Sequence, residues 1–379
     1  MIRPEDLFNY LKTKGIDFYT GVPDSLLKNF CSYVTDNSPV EKHIINSNEG
    51  AAVALASGHY LSTGKPALVY MQNSGLGNSI NPLLSLADPE VYGIPMLLMI
   101  GWRGEPGKKD EPQHIKQGKV MLSLLDSMGI RYEHLTGDTG EYSEKIDRLI
   151  EEMFISKSPV ALIISDGTFE NYDLNISENE KGSGLKLRRE DAVKLIIDNI
   201  SEKDVIVSTT GKASREVFEY RESKGQGHQN DFLTVGSMGH CSQIALGIAI
   251  VKKDLQIFIL DGDGAVIMQM GSLAISGSLA PENLKHIVIN NGAHDSVGGQ
   301  PTAGFEINFP EIAKACGYRY VSSAEEAEDI TFEINKLKKS AGPSFLEIKV
   351  NKGARKDLGR PTTTPHQNKE SFMNNLMNK

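Results

Sequence analysis

The residues best suited to chemistry lie in one stretch, Gln256 to Ser296, which reads QIFILDGDGAVIMQMGSLAISGSLAPENLKHIVINNGAHDS. Its order is a strand, an acidic glycine turn, a helix, a second strand and a paired asparagine. The apolar runs Ile257 to Leu260 and Ile287 to Ile289 predict buried parallel strands, and Ala265 to Leu279 has helical spacing. Asp263 and Asn291 are therefore expected at the carboxyl ends of neighbouring strands, where a divalent cation can bridge them to a diphosphate. Gly262 and Gly264 let the main chain approach a phosphate, and the amides that open the following helix favour an anion. Mg²⁺ prefers one or two protein side chains plus phosphate oxygens to a cage made of protein alone, which suits this pair. An Asp between two glycines is by itself an ordinary tight turn; the Asn pair one β-α-β unit later sets this one apart. A dinucleotide fingerprint fails here, because Ile267 stands where its third glycine belongs, and Gly75-x-Gly77 fails likewise at Ile80.

The elements around this stretch follow one rhythm. In the first half, FYTGVP, ALVYMQ, PMLLMIGW and VALIIS alternate with helical patterns; in the second, DVIVSTTG, FLTVG, IFILDGDG, HIVINN and FLEIKV do the same. Such alternation predicts α/β architecture with two doubly wound parallel sheets. From Asp166 to Glu190 the text turns polar, so the expected layout is a domain over 1–168, a linker over 169–187 and a second domain over 188–379. In open α/β sheets ligands sit beyond the carboxyl ends of strands, where TGVPDS, QNSGLGNS, STTGK, GSMGH, DGDG and NNGAHD all fall.

Bulk properties bound the function. The chain has 379 residues, 39% hydrophobic and 23% charged, enough for two full cores. A formal charge of −9 argues against a dedicated nucleic-acid or membrane-surface protein. Cys31, Cys241 and Cys316 have no metal-binding spacing, and three thiols suit a reducing cytoplasm better than a disulfide framework. The amphipathic start MIRPEDLFNYLKTKG supports neither a signal peptide nor a membrane span, so a cytoplasmic location is expected.

GDG followed by NN one β-α-β unit later resembles the motif of the thiamine diphosphate enzymes. That resemblance implies thiamine diphosphate and Mg²⁺ as cofactors, with Asp263, Asn291 and the Ala293 carbonyl as metal ligands. It implies that Glu49, in INSNEGAAVALASGHY, is the acid that hydrogen-bonds the far nitrogen of the aminopyrimidine ring. Met238 in GSMGH is similar to the family's apolar residue beneath the bent cofactor. Ser208, Thr209, Thr210 and Gly211 in STTGK, Gly236 and Ser237, and Gly262, Gly264 and Ala265 match segments that line the diphosphate. Family sites join the pyrimidine domain of one subunit to the diphosphate domain of another, which implies at least a homodimer.

Unlike the pyruvate decarboxylases and acetolactate synthases, the chain has no central domain. The compact layout with TGVPDSLLK, SNEGAA, DEPQHIKQG, NNGAHDSVGGQPT and DLGRPTTTP resembles the phosphonopyruvate decarboxylases, with the sulfopyruvate decarboxylases, often split into two chains, close by. The resemblance implies loss of CO₂ from 3-phosphonopyruvate to give phosphonoacetaldehyde, in phosphonate biosynthesis. Sulfopyruvate decarboxylation and acetolactate-type carboligation are the alternatives. Asp24 and His114 stand where relatives keep proton-handling residues, although His114 is a single histidine behind Gln113 rather than a pair. A substrate with a second anion needs cations at the strand edge. Arg103 and Arg360 are the preferred phosphonate ligands, with Lys108, Lys109 and Arg355 behind them. A competing class is a non-catalytic module holding a nucleotide diphosphate at the GDG turn; an acid such as Glu49 in the other half would have no purpose there.

Overall fold

A computed structural model describes residues 1–137, 140, 142–175 and 184–379. The chain divides into two units, Met1–Ser177 and Glu178–Lys379. The polar join is partly tied down. Phe169 bridges to Ile2 and stacks on Phe30, and the Tyr172 hydroxyl donates to Asp36, so residues 169–172 are fastened to the first unit. At the other end the Leu187 carbonyl accepts from the Asn351 amide within the second. No described helix is long and apolar enough to cross a membrane.

The first unit holds β1 (Tyr19–Gly21), β2 (His43–Ile45), β3 (Leu68–Gln72), β4 (Leu97–Gly101), β5 (Arg131–Leu135) and β6 (Val160–Ile164). They form one parallel sheet in the order β2-β1-β3-β4-β6-β5. Central strands are buried on both faces, and period-two alternation divides their side chains between two cores. Leu68, Tyr70, Leu97 and Met99 enter one core; Val69, Met71, Leu98 and Ile100 enter the other. Chain order reverses between β1 and β3. This is the kind of switch point at which α/β sheets open a crevice beyond their carboxyl ends.

The second unit repeats the plan with β7 (Val205–Ser208), β8 (Asp231–Leu233), β9 (Ile257–Gly262), β10 (Leu284–Asn290), β11 (Tyr320–Ala324) and β12 (Ser344–Lys349). The parallel order is β11-β12-β10-β9-β7-β8, with the reversal between β7 and β9. The helix expected over 265–279 is two helices, Asp263–Met268 and Gly271–Leu279. Gln269 leaves helical geometry (φ −127°, ψ 41°) where the 236–239 turn passes: a Cβ on Gly239 would lie 2.6 Å from the Gln269 Cγ.

Candidate active site

In the second unit the candidate residues collect at the switch point. Asp263 follows β9 directly and is buried. Burial raises its carboxyl to about 6, against the Thr302 hydroxyl and the main-chain amides of Asn291 and Gly264. Asn291 follows β10; its Oδ1 accepts from the Ala293 amide at 3.1 Å, and its Nδ2 donates to Asp295 at 3.1 Å. Asp295 also receives Arg189 at 3.0 Å and the Gly353 amide, and Arg189 is paired in turn with buried Glu216. The Asn291 amide is thus fixed from behind by a buried ion-pair chain. Ala293 is buried, and no hydrogen bond to its carbonyl occurs among the described residues.

The turns named by the sequence border this point. Thr209 bonds through its amide to the Leu260 carbonyl at 2.7 Å, and the Thr210 hydroxyl donates to the Val235 carbonyl at 2.7 Å, so the 208–211 turn touches β9 and the residue that leads into the 236–239 turn. A Cβ on Gly211 would come 3.2 Å from the Ser296 hydroxyl. Ser237 has φ +57°, a left-handed conformation that costs a non-glycine residue stability and recurs at binding sites. Met238 is half-buried in this turn, one residue before Gly239, whose Cβ would be 2.9 Å from the Ala265 carbonyl. A Cβ on Gly262 would meet nothing within 4 Å. Among the described residues no three His, Cys, Asp or Glu gather as a metal cage. One carboxylate, one amide oxygen and one carbonyl are nevertheless hard donors of the kind Mg²⁺ takes beside phosphate oxygens, so these residues fit that ion.

In the first unit one segment does most of the assembly. Asn48 caps the Glu49–Thr63 helix by accepting from the Gly50 amide at 2.8 Å, which fixes Glu49 at its first residue. Glu49 is only 5% exposed and accepts from Asn78 Nδ2 at 2.7 Å. Gly75 lies against it so closely that a Cβ there would be 2.5 Å from Oε1. Just before, Gln72 donates to Asp24 at 2.9 Å, and Asn73 donates to the Arg103 carbonyl at 2.8 Å. The QNSGLGN segment after β3 therefore joins Glu49, Asp24 and Arg103. Asp24 lies at the β1/β3 switch, fully buried, and burial pushes its carboxyl up despite the Gln72 amide and the Leu26 main chain.

The segment after β4 and the first turn of the Pro112–Ser127 helix hold the remaining first-unit candidates. Arg103 gives Nε and Nη2 to Asp110 at 2.9 and 2.5 Å and Nη1 to Ser25 at 2.8 Å. His114 meets the same Asp110 at 2.8 Å. Lys108 is drawn away, paired with Glu105 at 2.8 Å, and Lys109 is exposed. In the second unit, Arg355 is surrounded by Glu190, Glu219 and Asp357, which leaves it poorly placed to bind a further anion. Arg360 is exposed, one residue after Gly359, whose amide donates to Glu219.

Sequence reasoning missed the partners: Gln72, Asn73, Gly75, Asn78, Asp110, Thr302, Gly304 and Asp295. Two of them are glycines that approach a candidate acid closely, which only the folded chain shows. Gly304 lies against its acid as Gly75 does: a Cβ there would be 2.6 Å from Asp263 Oδ2 and 2.5 Å from Asn290 Oδ1.

Residues 4–128 match the family described as thiamine pyrophosphate enzyme, N-terminal TPP binding domain, and residues 209–348 match its C-terminal TPP binding domain. Over 383 aligned residues the chain is 32% identical to a phosphonopyruvate decarboxylase of Streptomyces viridochromogenes, covering 96% of this chain and 92% of that one. It is 27% identical to a sulfopyruvate decarboxylase of Methanosarcina acetivorans, covering 93% and 92%. Methanocaldococcus jannaschii has separate relatives, a sulfopyruvate decarboxylase subunit alpha at 36% identity over 44% of this chain and 95% of its own, and a subunit beta at 38% over 37% and 73%. With two TPP binding domains on two parallel-sheet units and a full-length relative above 30% identity, this chain belongs to the thiamine pyrophosphate-dependent 2-oxo acid decarboxylases, in the family of the phosphonopyruvate decarboxylases.

Proposed function

We propose that this enzyme converts 3-phosphonopyruvate to phosphonoacetaldehyde and CO₂, with thiamine diphosphate and Mg²⁺ as cofactors, as a cytoplasmic step of phosphonate biosynthesis. One observation carries the reading: a single segment, Gln72 to Asn78, holds a buried acid (Glu49), a second buried carboxyl (Asp24) and an arginine (Arg103) together. Arg103 brings to this segment the positive charge that a substrate with a second anion needs.

In this reading Asp263, the Asn291 amide oxygen and the Ala293 carbonyl hold Mg²⁺. Ser208, Thr209, Thr210 and Gly211, Gly236 and Ser237, and the turn from Gly262 to Ala265 would bind the diphosphate, and Met238 would give the cofactor an apolar contact. When bound, thiamine diphosphate supplies the sink for the electron pair released as CO₂ leaves. Glu49 would hydrogen-bond the aminopyrimidine nitrogen; its confinement by Gly75 and Asn78 keeps the carboxyl at one place. Arg103 grips the phosphonate, with Lys109 and Arg360 as further candidate cations, while Lys108 is taken by Glu105. Asp24 and His114 carry the proton that replaces CO₂ on the substrate carbon, so that the aldehyde can depart.

The functional species is at least a homodimer in which the first unit of one copy completes the site on the second unit of another. The separate alpha and beta subunits among the relatives support a site built from two kinds of half. Mixing inactive Glu49→Gln and Asp263→Ala chains should then restore part of the activity, since hybrid dimers keep one undamaged site. Sulfopyruvate is the second reading, supported by the full-length match to the Methanosarcina protein. Incubation with phosphonopyruvate, thiamine diphosphate and Mg²⁺, followed by phosphorus NMR, tests the first: phosphonoacetaldehyde must accumulate with CO₂. Unchanged substrate in the presence of bound cofactor would reject it.

A further inference from the structure

Asp110 lies in a loop, with no periodicity to single it out, yet its carboxylate accepts five hydrogen bonds. Oδ1 accepts from Arg103 Nη2 at 2.5 Å, the Glu111 amide at 2.7 Å and His114 Nδ1 at 2.8 Å. Oδ2 accepts from the Gly104 amide at 2.7 Å and Arg103 Nε at 2.9 Å. Two carboxylate oxygens offer about four lone-pair sites, so five donors leave none for a substrate. Close backbone contact holds this arrangement together. Gly104 (φ +71°) sits where a Cβ would fall 2.0 Å from the His114 carbonyl, and a Cβ on Gly118 would fall 1.8 Å from the Gly104 carbonyl. The loop and the Pro112–Ser127 helix are therefore seated directly on each other.

Two chemical consequences follow. A saturated, ionised carboxylate can only accept, so the His114 nitrogen facing it must carry the hydrogen, and Nε2 is the atom left to exchange a proton. The ring is presented in one tautomer rather than two. Arg103 is seized along its Nε/Nη2 edge, with Nη1 also given to Ser25, which leaves one N–H on each terminal nitrogen. The guanidinium plane is thereby fixed at Nε, Nη2 and Nη1, so its orientation toward an anion is set by Asp110 and Ser25. The strong donors around Asp110 hold its carboxyl well below the usual carboxylate range even though burial opposes this, so the ionised form persists at neutral pH.

We propose that Asp110 is a positioning residue which, through one carboxylate, sets the His114 tautomer and orients the Arg103 guanidinium, so that anion recognition and proton transfer are coupled. This rests on the substrate reading above for the roles of Arg103 and His114, but the tautomer is a property of the free protein. In alkaline solution, where imidazoles are neutral, long-range proton–nitrogen NMR on ¹⁵N-histidine protein distinguishes the two tautomers. The His114 signal is identified by its loss in His114→Gln. Wild type should show Nδ1 protonated; Asp110→Asn, whose amide can turn its NH₂ toward the ring, should shift His114 to Nε2–H or a mixture.

Kinetics on the holoenzyme supply the second arm. Asp110→Asn should lower kcat about tenfold or more with a smaller change in KM, because the guanidinium remains but the proton path is misplaced. Combined with His114→Gln it should lose little beyond the worse single variant, since both break one unit. Where Asp110→Asn folds poorly, Asp110→Ser is measured instead, and melting temperature separates loss of fold from loss of function. Unchanged tautomer in the variant, or losses that multiply in the double variant, would overturn the proposal while leaving the substrate reading intact. Wild type inactive on every anionic oxo acid, with the tautomer as expected, would instead remove the substrate reading and leave Asp110 as the group that sets the ring.

Discussion

The edge of the second sheet and the loop after β4 solve the problem of placing charge in opposite ways. Asp263 and Asn291 ride on β9 and β10, paired in register from Leu284↔Ile257 to Ile289↔Gly262 within a buried sheet, and their positions can barely change without moving the sheet. Arg103 and His114 lie beyond a strand end, half-buried, and owe their positions to one carboxylate and a few amides. Rigid strand ends suit the role proposed for them, the anchoring of metal and diphosphate. A loop held by exchangeable hydrogen bonds can be retuned for one substrate without disturbing that anchor.

This contrast predicts a descending series of effects. The largest is at the anchor: Asp263→Ala or Asn291→Ala should abolish activity together with cofactor retention, and EDTA should inactivate wild type until Mg²⁺ is restored. Tight thiamine diphosphate binding by Asp263→Ala, measured by equilibrium dialysis, would break the distinction at its firmest point.

Next comes Glu49, where the anchor should survive and only activation fail. Glu49→Gln should remain folded and bind the cofactor, yet exchange the thiazolium C2 proton far more slowly than wild type. Gly75→Ala should mimic it with the glutamate itself unchanged, because its Cβ would displace the Glu49 carboxyl, whose Oε1 is 2.5 Å away. Wild-type exchange in both variants would remove Glu49 from the role.

The loop should give selective effects. Losing a charge-assisted hydrogen bond costs roughly 1.5–3 kcal/mol, so Arg103→Ala should lower kcat/KM for phosphonopyruvate by about ten- to a hundredfold. Weak activity on pyruvate should hardly change. Arg360→Ala, on an exposed tail, should act in the same direction more weakly. Equal losses on both substrates would turn Arg103 into a residue of the scaffold.

The smallest effect is on stability. Burial raises the Asp24 carboxyl, so its contribution to stability is full below the unfolded carboxylate value and is lost as pH rises through the raised folded value. Asp24→Asn should therefore melt a few degrees above wild type near about pH 8, with the gain shrinking toward about pH 4. A gain independent of pH in thermal melts would mean that Asp24 is not held at a cost.

How much of this was legible follows from burial. Strands β3, β4, β9 and β10 are buried on both faces and stand out as apolar runs. Strands β2, β5 and β11 are sheet edges with half-exposed HII, RYEHL and YVSSA, and nothing in those letters announces a strand. The site divides in the same way. The places of Asp263 and Asn291 at strand ends were legible from the apolar runs before them, whereas Glu49 was singled out only by the resemblance of its SNEGAA context. Asn73, Asn78 and Asp110 were not legible, because turn-forming residues are common in loops and only the folded chain shows which of them face a functional group. The break at Gln269 was hidden because helical periodicity continues across it.

The central claim, that the site is built for an oxo acid with a second tetrahedral anion, is tested most directly by kcat/KM on phosphonopyruvate, sulfopyruvate and pyruvate side by side. CO₂ release by the holoenzyme is the measure. Phosphonopyruvate should be used best, with pyruvate lower by about a hundredfold or more, the value of one or two charge-assisted contacts. Pyruvate used as well as phosphonopyruvate would contradict the claim.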